Sequence, residues 1–272
     1  MELFNPMTLE TVTLVQFDPT VGPASDGTLE RLCEIVRAAG SDLVVFPELA
    51  TTGYRMFDRL EACAEPVPGP TTERLGEAAA AVGSHVLFGM AIEDDGRTHN
   101  SAVWIDRDGD VRTRYDKRQL WGDEQGVFTP GEKLLLVDVE GHSVGVGICY
   151  DLNFPEQSAA FAAAGIDVLI NISAWSVPMG EDWNRLLPAR ALENGAFVLA
   201  CNRAGEETDL NLYGHSRVYN PDGSVAAELG SEPDRLTFRL DADRLGRERA
   251  RNPMREDRRE ADPRIERVSI GI

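Results

Sequence analysis

The chain has 272 residues, with 27 Lys plus Arg against 46 Asp plus Glu and a formal net charge of −19. That balance excludes a nucleic-acid binder, because phosphate recognition needs clustered cations, and it disfavours an anionic membrane surface. No apolar run approaches the roughly 20 residues of a membrane helix, and a hydrophobic content of 42% without any linker-like break predicts one domain over 1–272 with an ample core.

Residues 1–10 read as a loose tail ahead of an apolar strand at 12–18. A helix is predicted over 28–39, stopping near Gly40, and a short buried strand begins at Leu43 and runs to Phe46. Pro47 cannot donate to a sheet ladder, so that strand must stop there and leave Glu48 at its carboxyl edge. Open α/β sheets place ligands at that edge, although a Glu there could also cap a helix or face solvent. A helix over 71–82 ends at Gly83, followed by a strand at 85–92. A hairpin follows at 101–105 and 111–115, with Asp108-Gly109 at its turn.

The second half repeats this grammar. A strand at 143–149, a helix at 154–165, a strand at 168–172, a helix at 183–194 and a strand at 197–201 come in order. A hairpin at 216–219 and 224–228 then turns on Pro221-Asp222-Gly223. Strands that are almost continuously apolar, alternating with helices, imply sheets covered by helices, and two similar halves can pack sheet against sheet. Past Asp241 the chain becomes arginine-rich, and the extension 244–272 reads as a solvated terminal helix.

Three residues carry chemical interest. Cys149 closes the run Ser143-Val144-Gly145-Val146-Gly147-Ile148 and precedes a helix, whose unpaired N–H groups would favour a thiolate and supply donors for a growing anion; a buried cysteine can equally pack as a small hydrophobe. Only two lysines occur, Lys117 and Lys133. Lys117 ends the strand-like stretch 111–116, where its compact ammonium could reach inward or sit at the surface. Glu48 is the third. The four cysteines, Cys33, Cys63, Cys149 and Cys201, have no metal-ligand spacing and read as reduced thiols of a cytoplasmic protein.

FPELATTGY with Glu48, YDKRQLW with Lys117 and GVGICYDLNFPE with Cys149 together resemble the three catalytic blocks of the nitrilase superfamily of carbon-nitrogen hydrolases, in order and in approximate spacing. The resemblance extends over nearly the whole chain. It takes in Glu124 of EQGVFTPG, the stretch ARALENGAFVLACNRAG at 189–205 and the GHS at 214–216. It implies an α/β fold, a four-layer α-β-β-α sandwich with two mixed sheets packed face to face and the catalytic groups at one end of the sheets.

It further implies Cys149 as nucleophile, Glu48 as proton carrier, Lys117 with the backbone N–H of Tyr150 as oxyanion donors, and Glu124 as the residue that orients Lys117 or the substrate nitrogen. No cofactor and no metal is implied. Family members often use the tail to strap subunits together, so a homodimer or larger homo-oligomer is expected. Tyr150-Asp151, where true nitrilases tend to carry Trp-Glu, favours a small linear amide over a nitrile, with an N-carbamoyl compound as the alternative. Tyr54, Trp121, Trp175 and Asn202, each next to a motif, are the substrate-pocket candidates. Asp182, Glu206, Glu207 and Asp209 read as surface acids or as partners of an amine-bearing substrate.

Rival readings fit less well. A papain-like enzyme needs His85, His99, His142 or His215 beside Cys149, and none lies in a recognisable context. A metal hydrolase lacks HExxH or paired His/Asp spacing, and the Gly145-Val146-Gly147 segment lacks the third glycine of a dinucleotide site. A catalytically silent binding protein is disfavoured by the intact Glu48, Lys117 and Cys149.

Overall fold

The computed structural model of the chain describes residues 8–259. In chain order its first half holds β1 (Thr11–Gln16), α1 (Asp26–Ala39), β2 (Leu43–Val45), a single turn α2 (Leu60–Cys63), α3 (Pro70–Val82), β3 (His85–Asp94), β4 (Arg97–Ile105) and β5 (Val111–Asp116). The second half continues with β6 (Leu135–Val139), β7 (His142–Ile148), α4 (Pro155–Ala164), β8 (Val168–Ser173), α5 (Gly180–Asn194) and β9 (Phe197–Asn202). The two-residue strands β10 (Glu206–Glu207) and β11 (Leu210–Asn211) follow, then β12 (Arg217–Tyr219), β13 (Val225–Glu228), β14 (Asp234–Arg239) and α6 (Ala242–Arg251).

Two six-stranded mixed sheets result, in the orders β14-β1-β2-β3-β4-β5 and β13-β12-β9-β8-β7-β6. The parallel strands are β1-β2-β3 in one and β7-β8-β9 in the other, and every other neighbour in these sheets is antiparallel. The two sheets thus share one pattern, with β14 taking in the first the place that β6 takes in the second. This edge strand comes from the far end of the chain and ties the two halves together. Neither β6 nor β14 is among the predicted strands: half-exposed edges carry only weak apolar alternation.

Side-chain alternation sorts the layers. Val12, Leu14, Leu43, Val45 and Leu87 meet Val144, Val146, Ile148, Ile170, Leu199 and Val218 in one core between the sheets. Val44, Phe46, Val86, Phe88 and Val103 face outward onto Leu29, Leu32 and Val36 of α1 and Leu75 and Ala79 of α3. Leu169, Val198 and Ala200 face the opposite way onto Phe161 of α4 and Trp183, Leu187 and Ala191 of α5. The architecture is the α-β-β-α sandwich. Residues 8–10 depart from the expected loose tail: Leu9 is buried in the inter-sheet core, and its N–H donates to the Glu140 carbonyl at 3.2 Å. The proposed strap is only partly described; α6 lies on the fold through Arg249, which donates to Asp167 and to the Ile166 and Gly195 carbonyls, while 1–7 and 260–272 lie outside the described residues.

The strand ends that carry Glu48 are fixed by one close approach. A Cβ at Gly89 of β3 would sit 2.5 Å from the Leu49 nitrogen and 2.6 Å from the Glu48 Cα, so only glycine lets the chain after β2 lie against β3. The Ala50 N–H then donates to the Gly89 carbonyl at 2.9 Å, and the Gly89 N–H to the Pro47 carbonyl at 3.1 Å. Gly89→Ala is expected to destabilise the fold by about 1–3 kcal/mol, as overpacking does, and to push Glu48 out of place. Thermal melting and activity per folded molecule, measured on the same sample, should fall together.

Candidate active site

Glu48 after β2, Lys117 and Glu124 in the connection after β5, and Cys149 after β7 converge at one end of the sandwich, Glu124 from a 3-10 turn over Gly122–Gly126. Lys117 follows β5 directly, and its side chain is fully buried, as are those of Glu48 and Glu124. Its Nζ donates to Glu48 Oε1 at 2.7 Å and to Glu124 Oε1 at 2.8 Å. Burial works against the lysine's charge, but the two carboxylates outweigh it and hold the pKa well above the usual lysine value. Glu124 is pushed up by burial against the pull of Lys117.

Further donors lock the carboxylates. Asn100 of β4 gives Nδ2 to Glu48 Oε1 at 2.7 Å and to Glu124 Oε1 at 3.0 Å. The Trp121 N–H donates to Glu124 Oε2 at 2.7 Å, and the Ala174 N–H to Glu48 Oε2 at 2.8 Å. Ala174 and Asn100 were not read from the sequence. Asn100 had a signal in principle, as an amide inside the apolar strand β4, but a backbone N–H leaves none.

Cys149 sits at an elbow between β7 and a 3-10 turn over Cys149–Asn153, and α4 begins only at Pro155. Its φ of 47° lies in the left-handed region, which costs a non-glycine residue about 1–2 kcal/mol. Asp151 holds the elbow in that form: it accepts from the Ile148 N–H at 3.0 Å, the Tyr115 hydroxyl at 2.7 Å, the Gln119 N–H at 2.9 Å and Gln157 Nε2 at 3.1 Å. The expected thiolate-favouring helix terminus is not the dominant influence. Burial first, then the Glu48 charge, raise the Cys149 pKa well above the ordinary value, against Lys117 and an N–H contact from Ala174. Burial and the Glu48 charge both favour the thiol over the thiolate in the resting site.

A small, largely apolar pocket opens over the sulfur, lined by Tyr54, Trp121, Cys149, Tyr150, Ala174, Trp175, Ser176, Met179 and Leu210. Of the predicted pocket residues, Tyr54, Trp121 and Trp175 line it and Asn202 does not. Asn202 is buried behind Trp175, accepting from its N–H at 2.7 Å and donating to the Gly214 carbonyl at 2.8 Å, so it fixes the loop that carries the indole. Ser176 and Met179, in the connection from β8 to α5, and Leu210, in the two-residue strand β11, were missed because these segments are too short to carry a periodic signal.

Among the four acids read as surface, Asp182, Glu206 and Asp209 are exposed and Glu207 is not. The Glu207 carboxylate is buried against the Arg203 guanidinium and accepts from the Tyr54 N–H at 3.0 Å and the Arg55 N–H at 2.8 Å, pinning the turn that runs from Glu48 to Tyr54. Among the described residues no group of His, Cys, Asp and Glu could hold a metal ion, and no helix is long and apolar enough to cross a membrane.

Two mixed sheets packed face to face between helix layers, with a carboxylate, an ammonium and a thiol gathered at their strand ends, are the architecture of the nitrilase superfamily. The chain belongs to the carbon-nitrogen hydrolase family, whose model matches residues 11–249. It is 34% identical over 250 residues to an (R)-stereoselective amidase from a Pseudomonas species, covering 91% of each chain. It is 30% identical over 251 residues to a 2-oxoglutaramate amidase from Bacillus subtilis, covering 91% of this chain and 96% of that one. A solved structure of a Glu-to-Gln mutant of the amidase from Nesterenkonia sp. AN1 superposes with a TM-score of 0.77 at 29% identity, covering 90% of this chain and 95% of that one. It carries the acetamide moiety of fluoroacetamide added covalently at its active-site cysteine.

Two outcomes follow from this geometry. Because the thiol is held neutral, the rate of Cys149 alkylation by iodoacetamide should rise with pH without an inflection below about 8.5, the ordinary cysteine value; a plateau reached near pH 7 would contradict the assigned direction. Glu207→Ala strands a buried guanidinium, so it should destabilise the fold by about 3–5 kcal/mol in denaturant unfolding.

Proposed function

We propose that the protein hydrolyses a small linear amide through a thioester on Cys149. The observation that carries this reading is the buried Lys117 ammonium bonded to both Glu48 and Glu124, with the Ala174 N–H donating to Glu48 Oε2 and Cys149 close enough for these charges to act on it. Membership of the carbon-nitrogen hydrolase family and the amidases among the relatives support it, as does the covalent cysteine adduct in the Nesterenkonia amidase.

An amide carbonyl is a weak electrophile with a poor leaving group, and dividing the reaction into two steps lowers each barrier. As the thiol attacks, its proton passes to Glu48, the S–C bond forms and the carbonyl electron pair moves onto oxygen. An ammonium has three N–H donors, and Lys117 uses two on carboxylates, which leaves one for that oxygen beside the Tyr150 backbone N–H. Collapse breaks the C–N bond, and Glu48 returns the proton to the departing ammonia or amine. Water then attacks the thioester, again giving its proton to Glu48. The second collapse releases the carboxylic acid and restores the thiol.

A neutral resting thiol suits this sequence. It keeps a third negative charge away from two buried carboxylates until substrate arrives, and deprotonation is coupled to bond formation. Glu124 accepts from both Lys117 and the Trp121 N–H and orients the ammonium from the far side.

Kinetics of three variants across a panel of aliphatic amides, N-carbamoyl amines and nitriles test the proposal. Cys149→Ala should fold and lose turnover entirely. Lys117→Ala should lose about 10²–10³ in kcat, the usual effect of deleting an oxyanion donor, and accumulate no acyl-enzyme. Glu48→Gln should slow acylation and deacylation alike by about 10²–10⁴. Near wild-type amide turnover in any of the three would overturn that residue's role, and nitriles turned over faster than amides would overturn the substrate class.

A further inference from the structure

We infer that the acyl group this pocket accepts is uncharged and apolar, an alkyl or aryl chain, and that amides carrying a carboxylate or an amine on that chain are rejected. The inference rests on the amidase reading above and specifies its substrate. Among the described residues, none lining the pocket bears a formal charge on its side chain beyond what Cys149 can acquire: the walls are Tyr54, Trp121, Trp175, Met179 and Leu210, with Ala174 and Ser176 between them. Burial raises the Tyr54 hydroxyl well above the usual tyrosine value, so it stays neutral.

Among the described residues, the cations nearby are already committed. Lys117 is held by two carboxylates beneath the sulfur, and Arg203 is fully buried against Glu207. Arg55, next to Tyr54 in the chain, pairs with Asp209 at 3.1 Å and Asp123 at 3.6 Å. A substrate carboxylate entering this pocket would lose water and find no counter-charge, while approaching a protein of net charge −19. A substrate ammonium would be drawn toward the protein by that charge, yet it meets no acid on the walls; Asp123 and Asp209 are exposed and bound to Arg55. Methyl and ring carbons meet two indoles, a phenol ring, a thioether and a leucine.

Three amides that share a –CH2–CH2–CO–NH2 core and differ only in its terminal group decide the matter: butyramide, succinamate, in which a carboxylate replaces the methyl, and β-alaninamide, in which an ammonium replaces it. The expected result is a kcat/KM for butyramide at least about 100-fold above each of the other two. Succinamate or β-alaninamide within about threefold of butyramide, or faster, would overturn the inference.

Binding to Cys149→Ala, followed by the fluorescence of Trp121 and Trp175, separates the pocket from the chemistry. Butyramide bound in preference to both charged analogues but never hydrolysed by the wild type would refute the amidase reading and leave the pocket inference standing. Equal binding of the three, or no butyramide binding, would overturn the inference itself. Met179→Lys, at a half-buried wall position, should shift the succinamate-to-butyramide ratio of kcat/KM upward by at least about tenfold, and Ser176→Arg serves the same purpose if that variant does not fold. An unchanged ratio in a folded variant would remove these residues from the acyl-group wall.

Discussion

One buried ammonium organises this molecule. Lys117 has no exposed side-chain surface, and a lysine so placed would ordinarily give up its proton. It keeps the charge because Glu48 and Glu124 meet it at 2.7 and 2.8 Å, and they in turn tolerate burial because Asn100, Trp121 and Ala174 donate to them. Removing Lys117 would leave two carboxylates facing each other in a dry site without a counter-charge, and removing a donor would leave a carboxylate oxygen unpaired. The cluster is therefore held together as a unit, and the chemistry proposed for it uses the same charges that make it interdependent.

The sandwich exists, in functional terms, to bring those groups to one place. Glu48 comes from the first sheet beyond β2, Lys117 from beyond β5, Cys149 from beyond β7 in the second sheet, and the Ala174 N–H from beyond β8. The inter-sheet core of Val, Ile and Leu side chains fixes how far apart these strand ends lie. β14 pairs with β1 along six residues, so the last described strand borders the sheet that carries Glu48. Gly89 sets the depth of Glu48, and Asp151 sets the turn at Cys149, each by a contact that a larger or apolar side chain would break.

Much of this was legible in the sequence, for identifiable reasons. The central strands are apolar on both faces and bounded by glycine or proline, so 43–46, 143–149, 168–172 and 197–201 stood out, as did the helices ending at Gly40, Gly83, Gly165 and Gly195, all left-handed. Glu48, Lys117 and Cys149 were marked by position at strand ends and by motif. What escaped notice has no one-dimensional signature: the edge strands β6 and β14, the Ala174 N–H, Met179 in a single 3-10 turn and Leu210 in the two-residue strand β11. Two readings were reversed by burial. Glu207 looked like one more acid in an acidic chain and is a buried partner of Arg203, and the Cys149 thiol, expected to ionise readily, is shifted toward its neutral form by burial first and by the Glu48 charge second.

The account turns on a covalent bond between the Cys149 sulfur and the acyl carbon. Rapid acid quenching during steady-state turnover of a neutral aliphatic amide, followed by intact-mass measurement and peptide mapping, looks for that bond directly. The account predicts a mass increase equal to the acyl group less one hydrogen, confined to the peptide containing Cys149. Sustained amide turnover by Cys149→Ala, or an acyl increment mapped to a different side chain, would contradict it.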